Sequence, residues 1–208
     1  MTIDEWKEKN KYAKGYAHFD NKVSLKQIFK YISNPNNVKK HGFYPFIHYT
    51  QKFNKYRHGK IQSKKRELCY SAHIDRYIYS YYGYMINEYY NKRVIEDKIN
   101  KVAIAYRNNL KRNNIHFAKE AIDFIRKLEN CYIIVGDFTN FFDNLDHNYL
   151  KSRLCDLLHV KRLPDDYYAV YKNIIKYSKL ELRDILEYYS LKDSVKAIRT
   201  LNESSFYN

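Results

Sequence analysis

Apolar side chains recur at helical spacing along much of the chain. Leu25, Ile28, Phe29 and Ile32 form one stripe behind Ser24-x-x-Gln27, a capping-box signature, and Asn34-Pro35-Asn36-Asn37 ends the pattern. Over residues 74–90, Ile74, Ile78, Tyr81, Met85 and Tyr89 repeat every three or four positions, which predicts an amphipathic helix. Residues 115–128 predict another, with Phe117, Ala121, Ile125 and Leu128 facing inward. Leu150, Leu154 and Leu157 line a further helix. Pro164, Asp165 and Asp166 open one that runs to about Tyr177, as Pro and acids at a helix start should. Residues 181–201 read as one or two more. Strand patterns are fewer. Residues 39–65 read as loop and short strand, with Phe43, Tyr44, Phe46, Tyr49, Phe53 and Tyr56 interleaved with basic residues. Residues 66–70 and 102–106 are short strand candidates. Cys131-Tyr132-Ile133-Ile134-Val135, ending at Gly136-Asp137, has the length and composition of a buried strand. There is no internal repeat, and the sum is a helix-rich α+β chain.

Composition narrows the function. With 208 residues and 45% hydrophobic content, a core of useful size can form. Lys and Arg number 38 against 23 Asp and Glu, a net charge of +15, which favours a polyanionic partner. The excess is concentrated. Residues 1–66 hold 16 basic and 4 acidic side chains, and the remainder hold 22 and 19. Neither GxxxxGK[ST] nor GxGxxG occurs, and five glycines leave little material for a phosphate loop. No apolar run reaches the eighteen or so residues of a membrane span. The helical stripes also lack the one-sided basic face of a membrane-surface helix. The charged N-terminus, Thr2-Ile3-Asp4-Glu5-Trp6, is unlike a signal peptide, so a cytoplasmic protein is expected. Cys69, Cys131 and Cys155 form no CxxC pair, and HExxH is absent. These features predict buried, reduced thiols and argue against a zinc enzyme. The 24 tyrosines accompany heavy use of Lys, Asn and Ile, a bias that A/T-rich codons produce, so their number alone is no base-stacking signal.

The segment from Tyr132 to His147 carries the candidate chemistry. A strand that delivers Asp137 at its end, followed by a turn and helix, is an arrangement suited to two-metal phosphoryl transfer, with Phe142 five residues on and placed to lie under a nucleotide sugar. The alternative is that Asp137 caps the helix that follows.

Asp137-Phe138-Thr139-Asn140-Phe141-Phe142-Asp143-Asn144-Leu145-Asp146-His147 resembles the first palm motif of bacterial reverse transcriptases related to group II intron and retron enzymes. Upstream, the run from Lys64 to Arg76 resembles the fingers segment, a basic strand followed by a helix opening at Asp75-Arg76. Ala105-Tyr106-Arg107 resembles the element ahead of the helix leading to the catalytic strand. The three elements come in the family's order over roughly residues 40–160. His41-Gly42-Phe43-Tyr44-Pro45-Phe46-Ile47 and His73-Ile74-Asp75-Arg76 are closest to the defence-associated, abortive-infection branch.

The resemblance implies the fingers and partial palm of a right-hand polymerase. Residues 1–38 would be a basic helical extension, 39–130 a fingers-like region, 131–160 the first palm segment and 161–208 a helical segment. It implies that Asp137 and the Phe138 carbonyl are ligands of a two-metal Mg²⁺ site and that Phe142 is the steric gate favouring dNTPs. Lys64, Lys65, Arg66 and Arg76 would hold the incoming triphosphate, and Arg107 would lie near template or nucleotide. Asp143, Asp146 and His147 read as caps and scaffold. The partners implied are an RNA template or structured RNA, dNTPs, a DNA product, and further copies or a second polymerase subunit. A membrane is not among them.

The family's Q-G motif and Y-x-D-D hairpin are not found in these residues, and Asp165-Asp166 sits at a helix start instead. One aspartate cannot hold two Mg²⁺ ions, so the segment alone is expected to be inactive and to be completed by more chain or by another subunit. The expected function is RNA-directed DNA synthesis in bacterial antiviral defence. The alternative is a non-catalytic RNA-binding module or a scaffold subunit of a defence complex.

Overall fold

The computed structural model describes residues 1–188 and 190, apart from 13, 14, 17, 19 and 58. The elements, in chain order, are α1 (Ile3–Asn10), α2 (Leu25–Ile32), α3 (Pro35–Val38), β1 (Phe46–Arg57), β2 (Lys60–Tyr70), α4 (His73–Glu96), α5 (Asn114–Ile125), a 3-10 turn (Phe142–Asn144), α6 (His147–Leu157), α7 (Asp165–Ile175), β3 (Lys179–Glu181) and α8 (Leu182–Tyr188). This is the helix-rich α+β class. No helix among the described residues is long and apolar enough to cross a membrane. The described residues divide into two compact bodies, one of residues 2–85 with 162–188 and 190, the other of residues 86–161 with Met1.

The first body holds most of the buried core. Thr2 and Glu5 form a capping box on α1, with Glu5 N–H donating to the Thr2 hydroxyl at 3.1 Å and Thr2 N–H to the Glu5 carboxylate at 2.8 Å. α1 thereby presents Trp6, whose ring packs edge-on to Tyr81 at 5.6 Å and whose Nε1–H donates to Ser80 at 3.2 Å. The α2 stripe is buried as its spacing predicts, at Leu25, Ile28 and Ile32. Tyr77, Ile78 and Tyr82 bring α4 into the same core, and Val170, Tyr171, Ile185 and Leu186 bring α7 and α8. Ile32 is fully buried, so truncating it to Ala would cost about 2–5 kcal/mol. The α4 stripe is rotated from the sequence expectation, because Tyr77 and Tyr82 are buried while Tyr89 is 39% exposed.

β1 and β2 form an antiparallel hairpin in the register Ile47↔Tyr70 through Arg57↔Lys60, with Gly59 at φ +74° in the tight connection. β3 pairs parallel to β1, giving the order β2-β1-β3. His48 ties all three strands together, its Nδ1 lying 2.6 Å from Glu181 and its Nε2 2.9 Å from Glu67. The hairpin is far longer than the loop and short strands expected over 39–70. Its outer part buries neither face, so no apolar alternation marks it, and the cross-strand ladder alone holds it.

In the second body α4 ends at a left-handed Lys98, where Ile99 N–H reaches the Val94 carbonyl at 3.0 Å. Asn113 caps α5 and Asp146 caps α6, the latter accepting from Tyr149 N–H at 2.8 Å. Neither α5 nor α6 has a buried residue. Of the inward face expected for 115–128, Phe117 and Ile125 are only half-buried while Ala121 and Leu128 are exposed, so that face has no full layer beneath it among the described residues.

Three expectations need correction. Residues 102–106 are turns rather than strand. Cys131–Val135 is likewise no strand. Ile134 and Val135 are 94% and 90% exposed there, because apolar composition makes a strand only where a neighbour supplies a ladder. The cysteines are unpaired, yet Cys69 and Cys131 are exposed rather than buried. Of the helices expected over 181–201, α8 is present; residues 189 and 191–208 lie outside the described ones.

Candidate nucleic-acid interface

No Asp or Glu occurs from residue 21 to residue 66, a stretch holding twelve Lys and Arg. The hairpin carries seven of these on a ladder that water surrounds. Register sorts them. Lys65 stands opposite Lys52, Lys64 opposite Phe53 and Arg66 opposite Gln51. Successive strand residues face opposite sides, so Lys64 and Arg66 share a face with Phe53, and the Arg66 guanidinium lies 4.9 Å from that ring's centre. Lys65 and Lys52 take the other face and line a cleft of about 800 Å³ with Arg183, Glu67 and Glu181. The three adjacent basic residues read together from sequence therefore act on two surfaces.

Arg76 sits on the first turns of α4 as part of the framework. Its guanidinium lies 4.2 Å from the Tyr77 ring centre and bonds the Tyr16 hydroxyl, whose pKa burial pushes up to about 12 against the pull of Arg76. Tyr16 in turn stacks on His73 at 4.3 Å. Below this lies a network that sequence reading missed. Asp20 accepts from the backbone N–H of His73 and of Ile74 at 3.0 and 2.9 Å, and pairs with His73 Nδ1 at 2.8 Å. Burial opposes ionisation of Asp20, but these bonds outweigh it and hold the carboxyl below its ordinary value. Asp75 accepts from Tyr44 N–H at 2.9 Å and pairs with His41 at 2.7 Å. His18 contacts the Pro45 carbonyl at 3.1 Å, and burial pushes its pKa down. Two aspartates thus pin two loops to the start of α4. Nothing in the local pattern marks them, since partners lie 31 to 54 residues apart in the chain.

In the second body Arg107 is enclosed by acceptors. Its Nε donates to Asn91 Oδ1 at 3.1 Å, its NH1 to the carbonyls of Asn100 and Ala103, and its NH2 to Asn100 Oδ1 at 2.8 Å. Asn91 also donates to Asn108 at 2.9 Å. The guanidinium therefore holds the 97–113 loop against α4, which leaves it little capacity for a ligand.

Asp137 lies on the irregular segment that replaces the expected strand, and it is exposed. It caps no helix, since the next one is capped by Asp146. Phe138 and Phe142 are 80% and 68% exposed, and Phe141 packs edge-on to Phe142 at 5.3 Å. The side chain of Asp143 is outside those described. A carboxylate and the adjacent carbonyl are the hard oxygen donors that Mg²⁺ takes, and the open surroundings leave room for them to bind one. Among the described residues no group of three or more His, Cys, Asp or Glu is placed to hold a metal. A two-metal site would need carboxylates from elsewhere.

Comparison with known proteins finds no family model and no curated protein that matches the chain.

Proposed function

We propose that this chain is the fingers region and first palm segment of an RNA-directed DNA polymerase, completed by carboxylates that these residues do not supply. The observation that carries the reading is the Asp137–Phe142 segment, which exposes a carboxylate, the neighbouring carbonyl and an aromatic five residues on. A chain whose longest hairpin is basic and free of acids to Arg66 supports it. In this reading Asp137 and the Phe138 carbonyl hold Mg²⁺, which when bound offsets the charge developing on the transferred phosphoryl group. Phe142 excludes a 2′-hydroxyl. Lys64 and Arg66 grip phosphate oxygens from one face of the hairpin, and Lys52 and Lys65 from the other. A role in bacterial antiviral defence follows from the sequence resemblance.

The test is Mg²⁺-dependent dNTP incorporation by the protein with whatever chain or subunit completes it. Incorporation lost in Asp137→Asn supports the reading; incorporation that survives the substitution removes it. The exposed hairpin also favours a second reading, a non-catalytic RNA-binding module. That reading expects salt-sensitive RNA binding unchanged by Asp137→Asn, with no incorporation under any condition.

A further inference from the structure

Six non-glycine residues among those described take a left-handed backbone: Lys98, Tyr106, Lys111, Asn140, His159 and Ser190. Lys98, His159 and Ser190 lie just past the ends of α4, α6 and α8, where such a residue closes a helix. Asn140 tolerates the conformation, and Lys111 lies just ahead of the α5 cap. Tyr106 ends no helix, is aromatic, and has φ +56°. The residue is 86% exposed.

The conformation is imposed from both sides. The Tyr106 carbonyl accepts from Asn87 Nδ2 at 2.7 Å, and Asn108 N–H donates to Asn87 Oδ1 at 3.2 Å. Between them Arg107 is locked by its own acceptors. A bulky residue held against its backbone preference by so many bonds is characteristic of functional positions. Glycine or asparagine would occupy the bend at lower cost. The surroundings indicate the ligand. From Lys98 to Lys119 the chain has six Lys and Arg and no acid, and Lys98, Lys101, Lys111 and Arg112 are exposed.

We propose that Tyr106 is a stacking platform for an unpaired base of single-stranded nucleic acid, with the exposed Lys98, Lys101 and Lys111 along the phosphates. A flat ring on rigid backbone beside exposed cations is the chemistry that such strands select. The assignment rests on the nucleic-acid reading above, and it places the contact at Tyr106 rather than at the neighbouring Arg107.

The test is a binding titration of the full chain with a short single-stranded oligonucleotide carrying 2-aminopurine, whose fluorescence falls on stacking. Wild type should bind and quench. Tyr106→Asn should bind roughly tenfold weaker and lose the quench, with its salt dependence unchanged and its melting temperature equal or higher, because the strain is relieved. Tyr106→Trp should keep both affinity and quench, and shows that the site still folds after substitution. Wild-type affinity and quench in Tyr106→Asn would overturn the assignment while leaving nucleic-acid binding in place. Absence of binding by wild type would overturn both.

Discussion

Lys52 and Lys65 face each other directly across the β1–β2 ladder, while Arg66, next in sequence to Lys65, turns to the opposite face and lies over Phe53. Like charges at paired strand positions are destabilising, so the hairpin carries a strain that a polyanion would relieve. Lys65→Glu should raise the melting temperature slightly, by the equivalent of a few tenths of a kcal/mol up to about 1 kcal/mol. It should also weaken nucleic-acid binding and reduce the salt slope by about 1. Thermal melts and a salt titration check both.

Asp137 and Phe142 are exposed, and no residue is buried on the α6 helix that follows. Asp137→Asn and Phe142→Ala should therefore leave folding stability within about 0.5 kcal/mol of wild type. If the polymerase reading holds, the first abolishes dNTP incorporation and the second admits ribonucleotides. Comparing unfolding curves with incorporation assays separates chemistry from folding.

Tyr82 donates to the buried Asp166 at 2.7 Å, joining α4 to α7. Tyr82→Phe leaves that carboxylate without its partner and should cost about 1–3 kcal/mol. Urea denaturation should show an earlier midpoint with an unchanged m-value.

Acid should loosen the first body in two stages. His18 is held neutral by burial, so its contribution is complete above its unfolded pKa of about 6.5 and declines as the pH falls through that value. Asp20 has a lowered pKa, so its contribution is complete above about 3.9 and is lost as the pH falls through its folded value. His18→Gln should flatten the upper part of the stability profile and Asp20→Asn the lower part. Equilibrium unfolding measured from pH 7 to pH 3 distinguishes them.

Arg107→Lys keeps the charge but replaces a planar fork with a point donor. Four acceptors then compete for one ammonium. Amide exchange should accelerate over residues 97–113 while the α2 and α7 amides are unaffected.

Helices were largely legible from the sequence because their determinants are local. The α2 stripe and its cap, and the Pro164-Asp165-Asp166 opening of α7, lie within a few residues of the structure they specify. The basic charge of the N-terminal third and the Asp137–Phe142 spacing are likewise readable without a fold. What distance decides was not. The hairpin's length depends on pairing between residues up to 23 apart, and its exposed faces leave no apolar alternation to read. The division of Lys64, Lys65 and Arg66 between two faces follows from a two-residue period that exists once β2 is formed. The Asp20–His73 and Asp75–His41 pairs and the clasp around Arg107 join residues that no local pattern relates. The run Cys131–Val135 shows the same limit from the other side. Its composition is that of a strand, but a strand is a relation to a neighbour, and only tertiary structure supplies or withholds one.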